Sequence, residues 1–470
     1  MLAGALALTP TRARPAADAD LPEELKDVAV ELGAAEKRPG EAPFRTIRLT
    51  EALDIALSDN TELALARVER QVACGRREAA RGALMPSLRV GALAGSKDGR
   101  VQGSFGKLRD VEFDTFAGSV ALVYEANLGA RIHQAVAERK ELEAATLSAL
   151  SVEQRLLLRV AELYEELMLT SVGVEIAEQL IDGSRQFLGI VSAREGAGLG
   201  LGSDVARAEA KLASDRQQLV RARNLRDDAS RRLALALRLD PRTPLRPFDA
   251  RLEPTGFPSA AGDERSVPAV TARPDVEAAR RRADAAANQA RAARWDLWSP
   301  ELRAEVGQVE IGDTVDDLEG RTDLRALLVW NFSLEKIGLV RQRRAEEEAA
   351  RLRSVEAEDR ARGEVVEVER ELRAARESIP LAERELVAAA RNLRLSEARF
   401  KAGTAIALEV LDAQDVLARA RFNLARAITA YNTAQLRLLA ATGTIDRGSF
   451  EPLDDRPMRS GAAQEKPPPP

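Results

Sequence analysis

Residues 399–414 read RFKAGTAIALEVLDAQ, and the rest of the chain can be aligned outward from this stretch. A long amphipathic helix runs into Phe400 and is expected to end at Gly403, because glycine accepts the left-handed conformation that closes a helix. After a short apolar turn, a second helix is expected to begin with Glu409 and Asp412, since acids are favourable at the positive end of a helix. The stretch therefore predicts the tip of a helical hairpin.

A second copy of this tip lies earlier in the chain, where residues 194–210 read REGAGLGLGSDVARAEA. A shift of 205 positions (403 − 198 = 205) places Gly198 on Gly403. The same shift places Arg194 on Arg399 and Asp204 on Glu409. A repeat of this length predicts two structurally equivalent halves.

Composition indicates long helices and excludes several classes of function. Charged residues make up 31% of the chain and aromatic residues only 4%, which suits coiled-coil packing better than a compact aromatic core. The net charge is −5, with residues of both signs throughout the chain, which gives no sign of nucleic-acid binding. With one cysteine (Cys74) and one histidine (His133), the chain has no Cys cluster, His pair or catalytic triad, so we expect no enzyme, metal or cofactor.

Helical segments of unusual length are predicted in both halves. Thr50 is expected to cap a first helix that ends before Pro86, and residues 131–196 are expected to form one helix of roughly 90 Å. Residues 203–239 would return alongside it, and the second half would repeat the plan to about residue 441. We expect the long helices to loosen at residues 171–173 and at Pro380.

Between the helices, the apolar period changes to two, which predicts strands. One face of the strand at residues 116–124 carries large apolar groups and the other carries small or polar ones: Phe116, Val120, Leu122 and Tyr124 against Ala117, Ser119 and Ala121. This pattern is typical of a transmembrane strand, although a soluble hairpin shows the same alternation. Loops are expected at residues 97–110 and 313–317, with a last strand through Leu328, Trp330 and Phe332.

The resulting fold is mainly α with a small β part, and its expected layout follows from these segments. We expect a lead-in with a truncated export signal (1–44), a first repeat (45–239), a Pro-rich linker (240–271), a second repeat (272–443) and a disordered tail (444–470). No run of 18 apolar residues exists, so membrane insertion would require a β-barrel. Four strands per chain cannot close one, whereas three chains would supply twelve.

The tip pattern R-[FY]-x-x-G followed by [DE]-V-L-D-A resembles the hairpin-tip signature of the TolC-like outer-membrane efflux proteins. Shorter pieces stand in that family's order: residues 49–53, residues 60–63 with their counterpart 273–276, and residues 84–88 with their counterpart 298–302. The resemblance implies a homotrimeric β-barrel in the outer membrane, continued through the periplasm by an α-helical tunnel. It further implies an exit duct for efflux or type I secretion, served by a periplasmic adaptor and an inner-membrane transporter.

The resemblance also assigns site residues. It implies that the adaptor docks at the two tips, through Gly198, Gly200, Gly202, Gly403 and Thr404. Glu409 and Asp412 match the acidic ring of the family's periplasmic aperture, although dipole complementarity alone would also explain acids at a helix start. Phe400, Asp204 and Ala405 fall where the family has its locking tyrosine, acid and arginine, and Phe400 and Ala405 cannot make those polar contacts.

Aromatic residues near the strand ends complete the set of candidate residues. Tyr124, Trp298 and Trp330 are expected either to form an interfacial girdle in the outer-membrane lipid or to pack against a neighbouring helix. Two other classes of protein compete with a channel: a periplasmic adaptor, which has a single helical hairpin, and a soluble coiled-coil scaffold. The doubled unit of strands and helices argues against both.

Overall fold

The computed structural model describes residues 44–102, 106–248, 252–255 and 272–453. In chain order the elements are β1 (Arg45–Ile47), α1 (Leu49–Asp59), α2 (Thr61–Gly82), β2 (Ser87–Gln102), β3 (Leu108–Ala126), α3 (Leu128–Gly196), α4 (Gly202–Ala236), β4 (Leu245–Pro247), α5 (Pro274–Trp298), β5 (Glu301–Gly312), β6 (Glu319–Val329), α6 (Leu334–Lys401) and α7 (Ala407–Ala441), followed by a 3-10 helix (Arg447–Leu453). The expected export signal and the end of the expected tail lie outside the described residues.

The two longest helices, α3 and α6, contain 69 and 68 residues. At 1.5 Å per residue, each is about 100 Å long. The side chains of Asn127 and Ser333 cap them by accepting hydrogen bonds from backbone N–H groups of the first turn. Both helices continue through residues 171–173 and Pro380, so these positions do not interrupt them. The return helices α4 and α7 pack along α3 and α6, as predicted.

Strands β2, β3, β5 and β6 form one antiparallel sheet in that order, with β2 and β6 at its edges. Its register places large apolar side chains opposite one another in a row across all four strands: Leu88, Leu122, Val306 and Leu324. These four are exposed in the single chain, by 44–79%. The adjacent row, on the other face, is polar or small: Arg89, Ala121, Gly307 and Asp323. The predicted two-faced alternation is therefore present in the sheet.

The boundaries of the sheet differ from the sequence prediction. The loop expected at residues 97–110 is mostly strand, because the backbone ladder between β2 and β3 continues past the apolar rows. Arg100 and Asp110 also pair across these strands at 3.0 Å. In the second half, β6 ends at Val329, so Trp330 and Phe332 lie beyond the strand that was expected to contain them. Strand pairing depends on backbone hydrogen bonds, and apolar alternation marks only part of it.

The first predicted helix is two helices. Asn60 adopts an extended conformation, and its side-chain oxygen accepts hydrogen bonds from the backbone N–H groups of Glu62 (2.8 Å) and Leu63 (3.2 Å). This cap begins α2 and ends the continuous helix, since an Asn side chain competes for backbone donors. Thr50 is buried inside α1 and does not cap it.

The largest apolar core surrounds the middle of α3 and includes segments that were expected to be linker and tail. Strand β4, within the expected linker, pairs in parallel with β1. Ile445 and Phe450, within the expected tail, are at most 1% exposed. The core residues come from eight elements and the segment that follows α7, and include Ile47, Leu53, Leu63, Leu157, Leu167, Leu233, Leu245, Leu436, Ile445 and Phe450. Burial of these side chains ties both chain segments to the helices.

The return helices end with the same backbone turn, at positions related by the 205-residue shift. Arg238 adopts φ = 56° after α4, and Gly443 adopts φ = 71° after α7. The next N–H groups, of Leu239 and Thr444, each donate to a carbonyl of the preceding last turn at 2.9 Å. The first repeat therefore holds an arginine in a left-handed conformation that favours glycine.

Arg238→Gly is expected to stabilise the protein by about 0.5–1 kcal/mol, because it relieves a left-handed conformation that costs a side chain roughly 1–2 kcal/mol. Thermal unfolding measures this. Arg238→Ala is the matched control, since it removes the 3.2 Å hydrogen bond to the Asp59 carbonyl without relieving the backbone. Gly443→Ala should destabilise, because its Cβ would lie 3.1 Å from Arg273 Cγ. A lower midpoint for Arg238→Gly would contradict this account.

A buried acid lies in the same central region. Glu165 on α3 is 8% exposed, and desolvation by burial raises its pKa to about 7, opposed by a hydrogen bond with the Asn432 side chain of α7. A raised pKa means that the folded state holds the proton more tightly than the unfolded chain, whose glutamate titrates near 4.5. The contribution of Glu165 to the free energy of unfolding is therefore fully present below pH 4.5 and is lost as pH rises through 7.

Glu165→Gln is expected to be more stable than the wild type above pH 7, by at most about 3 kcal/mol, because it removes the buried charge. The advantage should shrink as pH falls from 7 to 4.5, and urea unfolding at several pH values measures it. The neighbouring Glu166→Gln is the control, since Glu166 is partly exposed and pairs with Arg232 at 2.7 Å. Identical pH profiles for the two variants would rule out a buried charge at Glu165.

Candidate functional site at the hairpin tips

Both hairpin tips close with the same set of backbone hydrogen bonds. Gly198 and Gly403 adopt φ = 74° and 77°, which confirms the predicted helix ends. In the first tip, the N–H of Leu199 donates to the carbonyl of Arg194 at 2.9 Å. In the second tip, the N–H of Thr404 donates to the carbonyl of Arg399 at 2.9 Å. Such a turn satisfies the free carbonyls at a helix end and requires a residue that tolerates positive φ. The two tips are thus structurally equivalent.

The first tip needs one further glycine for a steric reason. A Cβ on Gly200 would lie 2.9 Å from the backbone nitrogen of Glu195, whereas a Cβ on Gly202 would meet only the end of the Glu195 side chain, which can move. In the second tip, the Thr404 hydroxyl donates to the Arg399 carbonyl at 3.1 Å and closes the turn instead. The missing side chain of Gly200 therefore allows the turn to pack closely on its own helix.

A contact between Arg194 and Phe400 joins the two tips. Arg194 Nη1 donates to the Phe400 carbonyl at 2.6 Å, and its guanidinium lies 4.8 Å from the centre of the Phe400 ring. The same ring lies 5.2 Å from Phe187 on α3 and is 7% exposed. Val191, Ala208, Ala407, Val410 and Leu411 complete the apolar cluster around it. A cation stacked on a buried ring and bonded to its backbone holds the two hairpins together.

The three residues at the expected lock make no polar side-chain contact with one another. The side chain of Asp204 is half-buried and forms no hydrogen bond or ion pair with any residue that the structure describes. Ala405 packs against the apolar cluster of Phe400. The tip contact passes instead through Arg194, which sequence reasoning missed because the repeat marked this residue only as the equivalent of Arg399.

Acids on α7 differ in how far their charge is compensated. Glu409 lies 3.3 Å from Arg399, and Asp415 lies 2.8 Å from Lys211. Asp412, between them, is exposed and has no ion pair within the described part of the chain. These acids are three positions apart and share a side of the helix. Of the two residues expected to form an acidic ring, Asp412 therefore carries the uncompensated charge.

A polar cluster of the buried Ser184 and Asp215 with the partly buried Lys211 lies next to the tips. Asp215 is fully buried, accepts a hydrogen bond from the Ser184 hydroxyl at 2.5 Å and pairs with Lys211. Lys211 also reaches Asp415 on the second hairpin. The cluster thus links α3, α4 and α7, and nothing in the sequence pattern pointed to it.

The second repeat replaces this polar cluster with apolar residues. The 205-residue shift places Ser184, Lys211 and Asp215 on Ala389, Val416 and Ala420. Those three belong to an apolar cluster with Leu386. One repeat therefore buries an ion pair where the other buries methyl groups, and only the lysine can reach across to the second hairpin.

Aromatic residues of the expected girdle lie at the opposite end of the long helices. Trp298 and Trp330 are 70% and 55% exposed, and Tyr124 is half-buried. The Trp298 ring meets Phe332 edge to face, with centroids 6.2 Å apart. This geometry accommodates either of the two roles expected for these residues.

Lys211→Val is expected to destabilise the chain by about 3–5 kcal/mol, because it leaves the buried Asp215 charge without its partner. The triple variant Ser184→Ala/Lys211→Val/Asp215→Ala copies the second repeat and should regain most of that loss. Urea unfolding compares the two variants. A triple variant as unstable as the single one would show that the apolar solution does not fit this site.

Among the described residues, no group of three or more His, Cys, Asp or Glu side chains is placed to hold a metal ion. The described helices also include none whose length and apolar character would allow it to cross a membrane.

Comparisons with known proteins give a consistent fold. Solved structures that the chain resembles include the VceC outer membrane protein of Vibrio cholerae (TM-score 0.74, 20% identity, 84% of this chain and 96% of that one). They also include the CmeC outer membrane channel of Campylobacter jejuni (TM-score 0.74, 14% identity, 89% and 93%) and the open state of the MtrE outer membrane channel of Neisseria gonorrhoeae (TM-score 0.72, 20% identity, 85% and 90%). No curated protein matches the chain significantly.

The family itself is shown by a profile match. The profile described as outer membrane efflux protein matches residues 52–237 and 268–444, which is more than half of the chain and includes both tips. This match confirms the resemblance carried by the tip motifs. The chain belongs to the outer membrane efflux protein family, whose channels lie in the outer membrane and extend into the periplasm.

Proposed function

We propose that this chain forms the passive exit duct of a tripartite efflux pump or a type I secretion system, as a homotrimer. The observation that supports this most directly is the arrangement along the long axis. Two equivalent tips stand at one end of helices about 100 Å long, and a sheet with one apolar face stands at the other. A long tubular wall with a membrane end and a docking end suits transport across two compartments.

The sheet supports a trimer. Among the described residues, strands β2 and β6 have unpaired edges in the single chain, and an open edge in lipid leaves backbone groups without partners. Pairing β6 of one chain with β2 of the next in a closed ring of three gives twelve strands. The row of Leu88, Leu122, Val306 and Leu324 then faces lipid, and the row of Arg89, Ala121, Gly307 and Asp323 faces the lumen.

Docking at the tips would involve a periplasmic adaptor, with energy supplied by an inner-membrane transporter. Each tip exposes two large apolar side chains: Leu199 and Leu201 in the first, Ile406 and Leu408 in the second, each 52–73% exposed. Gly198, Gly200, Gly202, Gly403 and Thr404 shape these turns and would place the apolar groups against the partner. Exposed apolar groups of this kind are typical of protein interfaces.

In a trimer, the aperture at the tips would be lined by three copies of Asp412, with the charge of Glu409 partly compensated by Arg399. Clustered carboxylates attract cations and disfavour anions. The Arg194–Phe400 and Lys211–Asp415 contacts hold the two hairpins of a chain together at this level. They would take the place of the family's polar lock. Phe400 and Ala405 lack the polar groups for that lock, and the side chain of Asp204 has no polar partner among the described residues.

Single-channel recording in planar bilayers tests this function. The wild-type protein should conduct with cation selectivity and be blocked by multivalent cations added on the tip side. Asp412→Ala should remove most of the block, whereas the matched variant Glu409→Ala should have a smaller effect because Arg399 already compensates that acid. Unchanged selectivity in Asp412→Ala would place the gate elsewhere, and the absence of any conductance would argue against a channel.

A further inference from the structure

Four chain segments connect the sheet to the helices, and all of them expose large apolar side chains. The connections run from α2 to β2, from β3 to α3, from α5 to β5 and from β6 to α6. The exposed side chains, each 47–86% accessible, are Met85, Leu128, Ile132, Trp295, Trp298, Trp330, Phe332 and Leu334. All three tryptophans of the chain are among them. We call these eight residues the apolar rim.

The rim is fixed to the fold by polar contacts, some of them partly buried. The Asn127 side chain donates to the carbonyls of Trp295 (3.1 Å) and Ser299 (3.0 Å), which joins the start of α3 to the end of α5. Lys336 donates to the Asp296 carbonyl at 3.0 Å and pairs with its carboxylate at 3.1 Å, which joins the start of α6 to the same helix end. The rim side chains are therefore held at one level, where the sheet ends and the helices begin.

Three exposed arginines lie on three of the helices, about one helical turn further from the sheet than the rim. Arg81, Arg131 and Arg294 are exposed, and none has an ion pair with a residue in the described ranges. Arg294 and Trp298 are four positions apart on α5, and Arg131 and Leu128 are three apart on α3, so each pair shares a helix face. Arg131 and Arg294 therefore lie on the side that carries the exposed rim, and Arg81 lies in the last turn of α2, just before Met85.

The charge at this level contrasts with the rest of the chain. Across residues 76–88, 124–135, 291–303 and 327–343, basic residues outnumber acidic ones by ten to five, whereas the whole chain has a net charge of −5. The tips also expose leucines, but residues 397–415 contain four acids and two bases. Exposed apolar groups are thus combined with excess positive charge at the sheet end but not at the second tip.

We propose that Arg81, Arg131 and Arg294, beneath the apolar rim, bind anionic phospholipid head groups of the leaflet that faces the periplasm. The inference rests on the proposed function, which places the sheet in the membrane and the helices in the periplasm. Aromatic residues occupy the membrane–water interface, and arginine keeps its charged group among the head groups while its stem lies along apolar surface. The guanidinium donates two parallel hydrogen bonds to phosphate oxygens, and an anionic lipid adds net charge complementarity.

Tryptophan quenching tests the proposal on the full-length protein reconstituted in vesicles. Vesicles of phosphatidylethanolamine contain, at an equal minor mole fraction, either brominated phosphatidylglycerol or brominated phosphatidylcholine. Since all three tryptophans belong to the rim, intrinsic fluorescence reports only on lipid at this level. Wild-type fluorescence should be quenched at least about two-fold more by phosphatidylglycerol, and the preference should weaken with added salt.

Two triple variants supply the comparison. Arg81→Gln/Arg131→Gln/Arg294→Gln should lose the preference, whereas the corresponding Arg→Lys variant should retain it because the charge remains. The control is Arg216→Gln/Arg221→Gln/Arg376→Gln, which removes three exposed arginines that have no ion pair with any described residue and lie far from the rim in the chain. This control should keep the wild-type preference.

Equal quenching of the wild type by the two lipids would overturn the inference, and so would a preference that survives in the Gln variant. Either result would leave the proposed membrane position intact, because lipid would still reach the tryptophans. If neither lipid quenches the wild type, the rim does not contact the bilayer. That result would overturn the inference together with the proposed position of the rim at the membrane surface.

Discussion

A helix about 100 Å long has an apolar stripe that no single short partner can cover, and the fold satisfies this constraint by changing the partner along its length. Helix α3 packs against α2, α4, α5 and α7, and α6 packs against α5 and α7. Because α5 lies along both long helices, the two sequence repeats form one packed unit. The parts of α6 that remain apolar and exposed, such as Leu352, Val355 and Val366, are available for a neighbouring chain.

Internal repetition gives the two hairpins the same backbone and leaves their side chains free to differ. The turns at Gly198 and Gly403 have the same φ sign and the same hydrogen bonds, so both tips are built to the same length. Where the first repeat pairs Lys211 with the buried Asp215, the second buries apolar residues, and the lysine alone extends to Asp415. A buried ion pair contributes little net stability compared with a well-packed apolar group, but it orients its members strictly. That orientation lets one hairpin contact the other at a defined level.

Charge is distributed unevenly along the molecule, and this distribution accords with the two ends having different surroundings. At the tips, uncompensated acid remains at Asp412, and large apolar groups are exposed in the turns. At the sheet end, arginines that form no ion pair with a described residue lie below a rim of tryptophan and leucine side chains. Exposed ion pairs between helices, such as Arg437 with Glu162 and Glu371, occupy the middle. Such pairs add little stability individually but keep a long surface soluble.

The amino-acid sequence by itself determined the features that depend on local backbone chemistry and on periodicity. Glycine at a helix end, acids at a helix start, and alternating apolar residues predicted the tips, the long helices and the two-faced sheet, and the 205-residue shift predicted the duplication. The tertiary structure alone decided which distant groups meet. The break at Asn60, the strand β4 in the expected linker and the burial of Phe450 each depend on partners far away in the chain. The Arg194–Phe400 contact likewise joins residues 206 positions apart, and a local pattern carries no information about such a pairing.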